Sequence, residues 1–177
     1  MVLMLAFVAG ISPSQARARS LPPSAFPELP NDVVAELERL GCRIPQIAWY
    51  KRGNVIQGEF SKPGQMDWAI LCTTKRDTTL LVFANGATQQ PMEIARRNGK
   101  GSADRWSIGP VNQEVMLDQL RVPNRSKPLP TLDHQGISSW IGPLDPTSGR
   151  YSDSAAEGTT YYFDGSNWTK LLTVYVN

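Results

Sequence analysis

The chain has a single histidine and only two cysteines among its 177 residues. It contains no Cys-x-x-Cys pair, and His134 lies far along the chain from Cys42 and Cys72, so a zinc site of ordinary ligand spacing is excluded. Neither GxxxxGK[ST] nor GxGxxG occurs, which removes the usual phosphate cradles of nucleotide-binding proteins. No GxSxG elbow is present either. No apolar run approaches the ~18 residues that a membrane-crossing helix needs. Neither sign of charge dominates: 18 basic residues stand against 16 acidic ones, a net charge of +2. Such a balance gives no bulk attraction to nucleic acid or to anionic membranes. No repeat of about 20–50 residues recurs, so solenoids and propellers built from such units are excluded.

What is present begins with a distinct leader. Val2 to Ile11 is apolar apart from small residues, the length of a signal-peptide core and too short to span a bilayer. Ser12-Pro13-Ser14-Gln15 breaks that run, and Ala16-Arg17-Ala18 offers a small-x-small site, with cleavage expected after Ala18. No Lys or Arg precedes the apolar stretch, a departure from the usual signal pattern. No cysteine lies near the cleavage site, so a lipid anchor is not expected. The reading is a secreted or periplasmic protein. Cys42 and Cys72 agree with it, because an even pair in an oxidising compartment is expected to bridge. Closing a loop of that length stabilises a fold by roughly 3–4 kcal/mol.

Without residues 1–18 the chain keeps 159 residues, enough for one domain with a sizeable core. Residues 19–30 read as a Pro-rich arm, with four prolines between Leu21 and Pro30, and residues 31–177 as a single domain. Val33–Leu40 puts Val33, Val34, Leu37 and Leu40 on one helical face, with Asn31 or Asp32 as a cap and Gly41 as its stop. Ile47–Tyr50 is a short apolar run. Residues 55–84 read as a three-stranded antiparallel meander closed by Asn85-Gly86. Pro91–Arg97 suggests a short helix opened by proline, and Val111–Leu120 fits helix or strand. Gly136–Ile141 reads as a strand. Thr159–Phe163 and Asn167–Val176 flank Asp164-Gly165-Ser166 as a hairpin. The expected class is α+β: an N-terminal helix packed on a mostly antiparallel sheet of about six short strands.

Candidate chemistry is sparse. Glu59, Ser61 and Asp67, with Gly64 between them, place oxygen-bearing side chains around a tight turn, as a hard cation requires. Over about 30 residues this pattern resembles the strand–loop–strand calcium loops of FG-GAP-type blades. That resemblance implies a calcium-stabilised structural domain, although only two carboxylates survive and Lys62 and Pro63 stand among them. A plain hairpin turn is the simpler expectation, and no metal or cofactor is called for. His134 is the only imidazole available as a general base. Asp133 adjoins it, but neighbours on a strand would face opposite ways, so the pair is not expected to form a dyad. Asp67 is a further acid candidate. Arg96, Arg97, Lys100 and Arg105 cluster where an anionic ligand or plain solvent would suit them. Tyr161, Tyr162 and Trp168 would make one aromatic binding face if the hairpin register allowed it.

The functional expectation is an exported, non-catalytic binding or interaction module, monomeric, with a protein, peptide or glycan partner and no nucleic acid. The alternatives are a small hydrolase using His134 and the calcium-stabilised domain.

Overall fold

The computed structural model describes residues 19–46, 52–86, 90–98, 105–120, 131–142 and 156–176. The proposed leader Met1–Ala18, the run Ile47–Tyr50 and Lys100 lie outside the described residues. Among the described residues the protein is mostly β, with ten strands in three antiparallel sheets and only short helices. The α+β class with about six strands is thereby corrected.

The first sheet is a small pair, β1 (Arg19–Leu21) against β2 (Ile44–Gln46). The second is a meander of β3 (Val55–Gly58), β4 (Asp67–Thr73), β5 (Asp77–Phe83) and β6 (Met92–Asn98). The third is a meander of β7 (Trp106–Val111), β8 (Gly136–Ile141), β9 (Ala156–Phe163) and β10 (Trp168–Val176). The helices are α1 (Asn31–Arg39) and α2 (Gln113–Leu120).

Two sequence expectations fail for local reasons. Pro91–Arg97 is not a helix: Met92–Asn98 pairs along β5, with Met92 and Ile94 partly buried and Glu93 and Arg96 exposed. Exposure alternates on either side of a register shift that leaves Ile94 without a partner position, and the neighbouring strand satisfies the backbone. Helix α1 is preceded by Pro30, whose side chain caps nothing, so neither Asn31 nor Asp32 is the cap; Asp32 sits in the first turn, where the helix dipole favours a carboxylate. Gly41, at φ +71°, ends it as the left-handed residue, and the Cys42 amide donates back to the Leu37 carbonyl.

Strand β4 explains how the core is divided. It is buried along nearly its whole length, and its residues alternate between two clusters. Trp68, Ile70 and Cys72 join Val33, Leu37, Ile44 and Phe83. Ala69 and Leu71 join Leu80, Val82, Trp106, Ile137 and Tyr161, so the second and third sheets share one core. Cys42 and Cys72 are bridged, with Cα atoms 5.0 Å apart. No helix among the described residues is long and apolar enough to cross a membrane.

Asn54 knits the three sheets together. It is buried, with φ at +67°, and its amide donates to the carbonyls of Pro45 (2.8 Å) and Trp106 (3.0 Å). Its Oδ1 accepts from the Ile108 amide (3.1 Å) and its backbone carbonyl from the Leu71 amide (3.0 Å). The side chain thus bonds β7 as a neighbouring strand would, satisfying backbone groups that burial would otherwise orphan.

Candidate functional site

The turn between β3 and β4 is organised by a carboxylate. Asp67 is fully buried, and its Oδ2 accepts from the amides of Phe60 (3.1 Å) and Ser61 (2.7 Å) and from the Ser61 hydroxyl (2.6 Å). Its Oδ1 accepts from the Gln65 side chain (2.7 Å) and the Asn85 amide (2.8 Å). Five protein donors leave this carboxylate neither a lone pair aimed at a cation nor access to a substrate. Glu59 accepts instead from the Gly64 amide at 3.0 Å, while Ser61 bonds directly to Asp67. They build a turn.

The segment 131–135 is fastened to this turn and to the third sheet. The Gln135 amide donates to the Glu59 carbonyl (2.9 Å), and the Glu59 amide donates back to Gln135 Oε1 (2.9 Å). Gly58 is required for this approach, since a Cβ there would lie 2.5 Å from Gln135 Oε1 and 2.7 Å from the Phe60 ring. On the other side, the Asp133 amide donates to Tyr162 Oη (3.1 Å). Tyr162 Oη donates in turn to Asp133 Oδ1 (2.9 Å), and His134 Nδ1 lies 2.6 Å from that same oxygen. The imidazole stacks on the phenol ring, centroids 4.3 Å apart and 23° from parallel.

Asp133 and His134 therefore do form a pair, contrary to the expectation from strand geometry. Strand β8 starts only at Gly136, and in the irregular segment before it adjacent side chains can turn toward one another. The acceptor facing Nδ1 is a carboxylate, so Nδ1 carries a proton. Nε2 is buried and has no hydrogen-bond partner. The hydrogen bonds from His134 and then Tyr162 hold the Asp133 carboxyl below the usual carboxylate range. Burial, reinforced by the Asp133 carboxylate, pushes the Tyr162 phenol upward. The Asp133 side chain is 62% exposed while that of His134 is 4% exposed. An ionised carboxylate thus faces solvent, with one oxygen pinned from beneath.

Two clefts meet at this pair. One, of about 440 Å³, runs between the turn Ser61-Lys62-Pro63 and the hairpin tip Phe163-Asp164-Gly165, with Asp133, His134 and Tyr162 in its floor. The hairpin tip is rigid: Asp164 Oδ1 accepts from the amides of Ser166 (2.9 Å) and Asn167 (2.8 Å), and Gly165 takes φ +92°. Those amides also depress the Asp164 carboxyl. The other cleft, of about 320 Å³, lies toward α2 and includes Glu59, Asn112 and Glu114 beside Asp133 and His134.

The remaining candidates fall elsewhere. Tyr161 and Tyr162 are both buried, on opposite faces of β9: Tyr161 in the intersheet core, Tyr162 with Val111, Met116 and Leu132. Trp168 pairs with Phe163, ring centroids 5.4 Å apart, so the three do not make one exposed aromatic face. Alternation along a strand forbids it. Arg96 is paired with Glu93 and Asp77, and Arg97 with Glu157 (2.8 Å) while lying over the Trp106 ring. Among the described residues no group of three or more His, Cys, Asp or Glu side chains is placed to hold a metal ion. Tyr162 as the partner of Asp133 and Lys62 as a cleft residue have no local sequence signal, because Tyr162 comes from β9 and Lys62 from the β3–β4 turn, both distant from Asp133 along the chain. No family model, no curated protein and no solved structure matches the chain.

Proposed function

We propose that the protein is an exported binding module whose ligand occupies the cleft between the β3–β4 turn and the β9–β10 hairpin tip. The observation that carries this reading is the closed state of the polar floor. His134 Nδ1 is engaged by Asp133, and Nε2 is buried without a hydroxyl beside it. Ser61 and Thr169 donate their hydroxyls to Asp67 Oδ2 and to the Tyr162 carbonyl, and Tyr162 donates its own to Asp133. General base catalysis needs an acceptor within reach of a nucleophile's proton, whereas recognition needs fixed polar groups on a shaped surface. The cleft is of the second kind. Its volume is within the range of small-ligand sites. The Cys42–Cys72 bridge supports export, since such bonds persist in oxidising compartments.

A second reading, a small hydrolase, is favoured by one contact: the 2.6 Å approach of Asp133 to Nδ1 matches the orienting half of a catalytic triad. The two readings separate in a screen of ester, amide and glycoside substrates against the wild-type chain and His134→Gln. The binding reading expects no turnover that depends on His134, together with fragment-induced amide shifts at Lys62, Asp133 and Gly165. Turnover abolished by His134→Gln would replace it with the hydrolase.

A further inference from the structure

We draw no further inference here: the strongest candidate, the cleft over Asp133 between the β3–β4 turn and the β9–β10 hairpin tip, belongs to the site already described, and no second observation among the described residues selects one class of ligand for it.

Discussion

Asp133 and Tyr162 titrate in opposite directions, and each leaves a mark at its own end of the pH scale. The carboxyl of Asp133 is depressed in the fold by donors from His134 and Tyr162. Its contribution is present above the unfolded value of about 3.9 and is lost as pH falls through the lower folded value. The Tyr162 phenol is raised by burial, so its contribution is complete below about 10 and disappears as pH rises through the folded value. Tyr161, also raised by burial, adds to the alkaline limb. Urea midpoints measured across pH are therefore expected to show Asp133→Asn flattening the acid limb and Tyr162→Phe reducing the alkaline one. At neutral pH, Tyr162→Phe should cost about 1–2 kcal/mol, because the Asp133 amide and carboxylate both lose a partner. At this scale the sequence was half legible. Asp133-His134 stands out as an acid beside the only imidazole, but their convergence depends on a non-strand segment, and the phenol that pins them comes from 28 positions further on.

The elements that could be read locally are those whose ends are set by their own residues. Gly41 stops α1, and Asp164 with Gly165 closes the β9–β10 hairpin through bonds within four residues. Asn112 caps α2, its Oδ1 accepting from the Val115 amide at 2.9 Å, which settles the ambiguity of Val111–Leu120: Val111 ends β7 and the helix begins just beyond it. Strand β6 was not legible, since a proline followed by Glu and Arg three apart reads as a helix until β5 supplies the partner. The role of Asn54 was equally hidden, because its bonds reach β2, β4 and β7, all set by tertiary structure. Removing that amide orphans buried backbone groups in β7 and near Pro45. Asn54→Ala is expected to lower stability by about 2–4 kcal/mol in chemical denaturation. Asn54→Gly should cost less, since glycine accepts positive φ and only the amide is lost. Equal losses would show that the left-handed backbone contributes nothing.

Taken whole, the molecule places its polar machinery where the two meanders meet. The shared core of Ala69, Leu71, Leu80, Ile137 and Tyr161 fixes the sheets against each other. The turn built on Asp67 and the tip built on Asp164 then stand as two rigid walls over the Asp133–His134–Tyr162 floor. The composition could bound this much: a chain with one histidine, two cysteines and near-neutral charge carries no metal or nucleotide signature. It could not place a cleft, because each wall belongs to a different sheet. His134 is a buried pin under an exposed carboxylate, and as the chain's lone histidine it makes that arrangement directly measurable. Diethyl pyrocarbonate reacts at an accessible imidazole nitrogen, and peptide mass mapping locates the adduct. The prediction is that His134 is protected in the native protein and reacts at the rate of a free imidazole only in denaturant; native modification as fast as that of free histidine would contradict it.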